Sequence, residues 1–536
     1  MLQSHLSILE ASASRYAAYP LFRTPRLDVR ATSQVDAWDI VTYQHFFHDV
    51  EATAKFWART FAFHSIPQKS VVGLWISGST YLDLLHVYGV SRAGYIPQLF
   101  SLRLPNPVVI YELLHKAGAK ALIYESAFQA NVADSPVPTF ICASRDLMDT
   151  SEANLPSFSP TTAEEWAFVF HTSGSTSGSP KLVPCSYKWV DSAICKSGQI
   201  SRPFNIDHQD VTVSMGSICH IGQTFMFLGS LQHGSCVVLP GTNGFSSNEL
   251  VNMIERCRIN RLNQFASFLA NHLRNSRTDC KLLESLQSLD EILYSGLPLA
   301  RDEEEWANSK GIKLRNLFGN TECGAMLLSI GGKGRAASLL QPLPGTSYTF
   351  QPIDGATTPG HHSTGRMLEL VILADSPDCP DKSLRHKDGH FHTGDLFVEV
   401  ASGSYISRGR DDDWIKTENS LRCDTKAIED NTRSSCNHII RECVVVGIGR
   451  PSPAMFVELT DDSFDHEKVR REVIRKTRHF SSRRYLHERI TSPHMIIIVA
   501  QNTLPRTTTK GNIRRKAVEE QFKAQLDELY ASRHSL

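Results

Sequence analysis

The chain has 536 residues, 41% hydrophobic and 21% charged, with 56 Lys and Arg balancing 56 Asp and Glu. This length is more than a single hydrophobic core organises, so two or more domains are expected. Zero formal charge supplies no single-sign field for nucleic acid or an anionic membrane. The 12 cysteines, spread from Cys142 to Cys443 without a CxxC pair, argue against a disulfide framework or a zinc ribbon and are read as reduced thiols.

The N-terminal stretch MLQSHLSILEASASRYAAYP has no basic start followed by an apolar core, and apolar runs such as MIIIVA (495–500) are too short to cross a bilayer. A cytoplasmic protein is expected. In HFFHDVE (45–51), His45, His48, Asp49 and Glu51 could share a helix face. No Cys or third His is placed to close a metal site. The segment is read as the polar face of a helix continuing into ATAKFWARTF. From residue 71 strand and helix alternate: VVGLWISG, TYLDLLHVYGVSRAG, YIPQLF, NPVVIYELLHKAG, AKALIYE. That pattern predicts a parallel sheet with both faces covered.

After the apolar strand WAFVF comes HTSGSTSGSPK (171–181). Backbone N–H groups of a Gly/Ser/Thr loop can converge on a phosphate, hydroxyls add donors, and a lysine supplies neutralising charge. It is not a Walker A loop, because Gly178 is followed by Ser179 and Pro180 before Lys181. Composition alone fits a surface linker equally well. Further along, GSCVVLPG (234–241) and LDEILYSG (289–296) read as strands, and GRMLELVILAD with GHFHTGDLFVEVASGSYISRGR form an antiparallel piece. Beyond Arg410 the strands ECVVVGIG, AMFVELT and MIIIVA, the helix DHEKVRREVIRKTRHF and a helix from about residue 513 make a small α+β unit.

HTSGSTSGSPK, NLFGNTECG (316–324), FHTGDL (391–396), SRGRDDDWIK (407–416) and LPRTTTKGNIRRK (504–516) resemble, in order, the core motifs of the adenylate-forming superfamily of acyl- and aryl-CoA ligases, luciferases and nonribosomal-peptide adenylation domains. The wording is most similar to fungal nonribosomal-peptide-synthetase-like adenylation domains, enzymes of secondary metabolism. The resemblance runs from about residue 40 to the end. It implies an α/β fold: a large N-terminal domain (1–410) of parallel-sheet αβ layers plus an antiparallel piece, then a small mobile α+β domain (411–536). It also implies ATP and Mg²⁺, a carboxylic-acid substrate, an acyl-AMP intermediate with release of pyrophosphate, and transfer to a thiol or an amine.

The resemblance assigns Thr172, Ser173, Ser175, Thr176 and Lys181 to the β- and γ-phosphates, although Ser177 is an insertion relative to the common TSGTTGxPK. It places Phe318 beside adenine, counts Asn320 with the nucleotide-binding residues, sets Thr321 at the α-phosphate and gives Glu322 to Mg²⁺. Asp395 would accept from the ribose hydroxyls with Arg410 assisting; the alternative for Asp395 is a turn-forming Asp after Gly394. Asp412 matches the hinge. Lys510 is the catalytic lysine of the small domain, with Arg514 as the alternative, and Lys416 serves the second conformation. The segment VSMGSICHIGQTFMFLG (213–229) places His220 beside the reacting carboxylate, the alternative being an ordinary core histidine. Phe225 and YSGLPL (294–299) would form other pocket walls. Amino-acid-activating relatives carry an Asp just after this position. Ile221, Gly222 and Gln223 contain none, and an unpartnered ammonium would be costly to bury, so an aryl or acyl acid without a free α-amine is expected. No phosphopantetheine attachment motif or dinucleotide fingerprint follows, and a free-standing activating enzyme is expected. Its acceptor would be CoA, a separate carrier protein or an amine. KTENSLRCD (416–424) lacks the glycine that relatives place after the lysine, which weakens CoA. A non-catalytic nucleotide-binding homologue is the rival reading, disfavoured by the intact set Lys181, Glu322, Asp395, Arg410 and Lys510.

Overall fold

The computed structural model describes residues 2–531 apart from 28–34, 102–105, 148–152, 158–161, 173–180, 243, 297, 333, 335, 354–366, 411–413, 417–421, 483–487 and 507–512. The alternation read from residue 71 is present. Strands Val71–Ile76, Ile96–Ser101 and Ala121–Tyr124 are separated by helices Tyr81–Arg92 and Pro107–Ala117. The first helix starts at a capping box between Thr80 and Asp83, and the second has Asn106 as its cap followed by proline, the residues that satisfy a helix's free N–H groups. These strands join a sheet in the order Thr139–Ile141, Ala121–Tyr124, Val71–Ile76, Ile96–Ser101, Trp166–Thr172, Lys181–Ser186. All its pairings are parallel except the last, an antiparallel hairpin. Every residue of Val71–Ile76 is buried, as expected of a strand covered on both faces.

A second sheet contains, in order, Leu340–Pro342, Gly324–Ser329, Leu314–Asn320, Glu291–Ser295, Arg261–Phe265, Val211–Val213, Cys236–Val238, Pro20–Leu27 and Val35–Thr42. Its middle is parallel, and it turns antiparallel where Leu314–Asn320 meets Gly324–Ser329 and where Pro20–Leu27 meets Val35–Thr42. One core cluster joins Phe46, Trp57, Tyr88, Phe168 and Phe227 from these layers. The Tyr43–Phe63 helix buries Phe46, Val50, Trp57 and Phe61. On its polar face Asp49 pairs with Arg145 at 2.8 Å and Glu51 with Arg92, so the HFFHDVE acids serve packing.

By internal contacts the chain divides into two compact units. The first holds residues 1–349, 371–392 and 401–405; the second holds 350–370, 393–400 and 406–536. The residues of strands Tyr348–Pro352, Met367–Ile372, Phe391–Ala401 and Ser404–Arg410 fall partly in each unit. The second unit has its own core around Phe456, Val457, Val473 and Ile496. Its sheet runs Ile440–Val446, Ala454–Leu459, Ile496–Val499, antiparallel then parallel. The helix expected from about residue 513 is two helices, Arg515–Gln521 and Lys523–Ala531. The break is at Phe522, whose ring packs on Phe456 with centroids 4.7 Å apart. No described helix is long and apolar enough to cross a membrane.

Candidate active site

Strand Trp166–Thr172 is buried at Ala167–Phe170 and emerges at His171 and Thr172. Thr172 pairs directly with Lys181 across the hairpin, and Lys181 is exposed. The two ends of the Gly/Ser loop are therefore fixed opposite each other, with a cation at one of them. Ser173, Ser175 and Thr176 lie outside the described residues. His171 stacks on Phe100, centroids 5.9 Å apart, and burial pulls its pKa down to about 4. It is neutral at physiological pH, so the positive charge here comes from Lys181.

The turn after strand Leu314–Asn320 carries the next group. Asn320 Oδ1 accepts from the Cys323 N–H at 2.8 Å, folding residues 320–323 back on themselves. Gly324 has φ 69°, and a Cβ at Gly319 would lie 2.4 Å from the Gly324 carbonyl oxygen; both positions require glycine. Two side chains of the Tyr187–Ile200 helix hold the turn from behind. Trp189 Nε1 donates to the Glu322 carbonyl at 3.0 Å, and Lys196 Nζ donates to the Cys323 carbonyl at 2.8 Å. Phe318, Thr321 and Glu322 are all partly buried. A carboxylate beside a hydroxyl, with solvent within reach, is a hard-oxygen donor set that fits Mg²⁺ held partly through water and phosphate oxygens.

His220 caps the Ile221–His233 helix, its Nδ1 accepting from the Gly222 N–H at 3.2 Å. A neutral ring with Nδ1 as acceptor carries its proton on Nε2. The ring meets Phe265 edge-on, centroids 5.3 Å apart at 78°. Phe265 is a residue the sequence reading missed. Added Cβ atoms at Gly216, Gly222 and Gly296 would lie 3.7, 4.0 and 3.3 Å from its ring. Three glycine-containing segments thus converge on one phenyl ring beside His220, leaving room that side chains would otherwise fill. Ile221 is buried, and Gln223 Oε1 is occupied by the Met215 N–H at 2.8 Å. Phe225 is buried beside Gly324 and Trp189.

In the second unit, Asp395 is nearly buried on strand Phe391–Ala401. Its N–H donates to Thr393 Oγ1 at 3.0 Å, and that hydroxyl donates to the Leu370 carbonyl at 2.8 Å. Gly394 has φ 70° and its N–H donates to Glu369 Oε1 at 3.1 Å. A side chain at 394 would place a Cβ 3.2 Å from Arg410 Nη2. Arg410 Nη1 lies 3.4 Å from Asp395 Oδ1, so the two predicted ribose residues are brought together. Lys416 lies on the short strand Ile415–Lys416, paired with Arg422–Cys423; its side chain, with Asp412 and Lys510, lies outside the described residues.

The chain on either side of Lys510's segment is tied down. Arg506 forms a β-bridge with Ile513, and the Arg514 N–H donates to the Pro505 carbonyl at 2.8 Å. Arg506 also grips Glu458, at 2.6 Å from Nη2 and 3.2 Å from Nη1, while the Leu504 N–H donates to the same carboxylate at 2.9 Å. Burial alone would raise the Glu458 pKa, but Arg506 and the backbone N–H groups hold it below the usual carboxylate range.

The AMP-binding enzyme family profile matches residues 21–366, and that of the AMP-binding enzyme C-terminal domain matches residues 412–534. The chain belongs to the AMP-binding enzyme family. One relative, the AMP-binding domain-containing enzyme iboA of Amanita muscaria, is 36% identical over 518 residues, 94% of this chain and 98% of that protein. The adenylate-forming reductase stbB of Stachybotrys bisbyi is 21% identical over 494 residues, 87% of this chain but 43% of stbB, so the chain spans less than half of that relative. Among solved structures, the O-succinylbenzoate coenzyme A synthetase of Bacillus subtilis in complex with AMP is similar with a TM-score of 0.75 at 17% identity, over 96% of this chain and 98% of that one. The anthranilate CoA ligase AuaEII in complex with anthranoyl-AMP also has a TM-score of 0.75 at 17% identity, over 97% of each chain. These two likenesses establish the fold. As a member of the AMP-binding enzyme family, the chain is an AMP-forming ligase that consumes ATP, and the expected α/β architecture with a smaller C-terminal part is present.

Proposed function

We propose that this AMP-binding enzyme activates an aromatic or aliphatic carboxylic acid lacking a free α-amine, forming acyl-AMP and pyrophosphate, and then passes the acyl group to a thiol of CoA or a carrier protein, or to an amine. The observation that carries the substrate class is the wall beside His220. Residues 221–223 offer no carboxylate, Gln223 is already engaged by Met215, and the facing surface is the ring of Phe265. An ammonium there would be desolvated without a partner, whereas a planar or aliphatic group would meet apolar surface.

Adenylation asks the protein to align a carboxylate with the α-phosphorus and to screen the anions it brings together. Lys181 and the 172–181 loop suit the β- and γ-phosphates, Thr321 the α-phosphate, and Glu322 a Mg²⁺ ion. When bound, that ion supplies charge neutralisation on the phosphate oxygens. Asp395, braced by Thr393 and Arg410, is oriented as an acceptor for the two ribose hydroxyls. Lys510 serves the carboxylate and α-phosphate oxygens. Residues 1–410 and 411–536 act as the large and small domains, turning about Asp412 between half-reactions so that Lys510 and Lys416 alternate. The change of texture after Arg410 and the separate profile match at 412–534 support this division. The test is pyrophosphate release from ATP with a panel of acids. Acid-dependent release with aryl or acyl acids supports the proposal, and release that is best with standard L-amino acids refutes the substrate class.

A further inference from the structure

Lys196 and Asp378 form an ion pair that the reaction described above does not use. Nζ lies 2.7 Å from Asp378 Oδ2, and the two side chains are 2% and 1% exposed. Asp378 is held in turn: Ser376 Oγ donates to Oδ1 at 2.6 Å and the Tyr348 hydroxyl donates to Oδ2. Burying two charges is expensive unless geometry and further hydrogen bonds offset the loss of water. If the pair's only task were to fill the core, apolar residues of similar volume would serve as well. What an apolar pair could not do is donate to a carbonyl, and Lys196 Nζ donates to that of Cys323 at 2.8 Å. Trp189, two helical turns earlier on the same helix, donates to the preceding carbonyl, that of Glu322, at 3.0 Å. The helix carrying both donors directly follows strand Lys181–Ser186, whose first residue closes the Gly/Ser loop.

We propose that Lys196, charge-balanced by Asp378, is a positioning residue: together with Trp189 it fixes the backbone of the 320–323 turn, and so aims Thr321 and Glu322, from the helix that directly follows the strand opened by Lys181. This rests on the roles proposed for Thr321 and Glu322. Partners that orient ligands in this way typically affect metal affinity or activity by about 10–100-fold when removed.

The test uses the full chain with Lys196→Met and Asp378→Asn combined, which removes both charges at similar volume and leaves no buried charge unpaired. The expected variant melts close to the wild type. Its amides at 319–326 exchange faster in the absence of nucleotide, calorimetry shows weaker binding of Mg²⁺·ATP, and adenylation turnover falls by about 10–100-fold with an unchanged KM for the acid. Trp189→Phe, which keeps the ring and removes the donor, should move the same readouts in the same direction and carries the test if the double variant does not fold. Wild-type exchange at 319–326 together with wild-type turnover in the folded variant overturns the inference. Glu322→Gln is measured in parallel. If it leaves the Mg²⁺ dependence at wild type, the assignment of the turn fails and takes this inference with it. If it shifts that dependence while the Lys196 and Trp189 variants do not, only the positioning role is overturned.

Discussion

Arg506→Ala should destabilise the second unit and disturb the segment holding Lys510. Glu458 is fully buried, and its carboxylate takes two bonds from the Arg506 guanidinium and one from the Leu504 N–H. Removing one partner of a buried pair leaves an uncompensated charge and costs about 3–5 kcal/mol. The Arg506 side chain is 25% exposed, so water reaches the vacated space, and the Leu504 N–H remains. The lower end, about 3 kcal/mol, is therefore expected. Because Glu458 is held below the usual carboxylate range, the wild-type pair contributes fully above the carboxylate's unfolded pKa. That contribution is lost as pH falls through the lower folded value. Hydrogen exchange on peptides spanning Ala454–Leu459 reads the opening of this unit, and 3 kcal/mol corresponds to acceleration of about 10²-fold. Glu458→Leu combined with Arg506→Ala removes the charge and should recover most of the loss. Exchange within about threefold of wild type in Arg506→Ala would instead place the energetic weight of the pair near that of a surface salt bridge.

Three further outcomes are expected. Lys510→Ala should lower acyl-adenylate formation by about 10²–10³-fold with ATP binding little changed, and transfer from a synthetic acyl-adenylate should survive; equal loss of both steps would move the role to Arg514 or undo the two-conformation mechanism. Phe265→Ala should change discrimination among acids by about 1–3 kcal/mol, in favour of bulkier ones, in competition assays of kcat/KM; an unchanged ranking would remove Phe265 from the pocket. His5 is fully buried against Tyr88 and Phe168, with no hydrogen-bond partner on either ring nitrogen among the described residues, and burial lowers its pKa from 6.5 to about 3. The fold therefore favours neutral His5: stability is full above about pH 6.5 and declines as pH falls toward 3. His5→Phe should reduce the proton uptake on acid unfolding by about one proton, and an unaltered slope of stability against pH would contradict this.

What was legible in the sequence is local. Strand, helix and turn chemistry around residues 71–124 is written in apolar periodicity and in caps such as Thr80 and Asn106. HTSGSTSGSPK, FGNTE and HTGDL place their chemistry within a few consecutive residues, and the fold pairs Thr172 with Lys181 and Asp395 with Arg410. What stayed hidden is long-range. Lys196 and Asp378 are 182 positions apart, and in isolation each looks like an ordinary surface charge. Glu458 interrupts the apolar run of AMFVELT, yet nothing nearby announces Arg506, 48 positions on. Phe265 reads as one more apolar residue at a strand end, and its place beside His220 follows only when three glycines converge on its ring. The N-terminal helix His5–Arg15 has little signal in the sequence, because HLSILEASASR mixes Ser and Ala into a weak apolar stripe, although Leu6, Ile8 and Leu9 reach the core.

Adenylation of a carboxylic acid without an α-amine by this AMP-binding enzyme has a direct readout. Pyrophosphate exchange with Mg²⁺ and ATP, run across aryl, aliphatic and amino acids on the wild type and on Lys510→Ala, tests it most directly. Exchange should appear with one or more aryl or acyl acids and collapse in the variant. Exchange driven best by L-amino acids, or its absence with every acid while Mg²⁺·ATP binds normally, would rule out this activity.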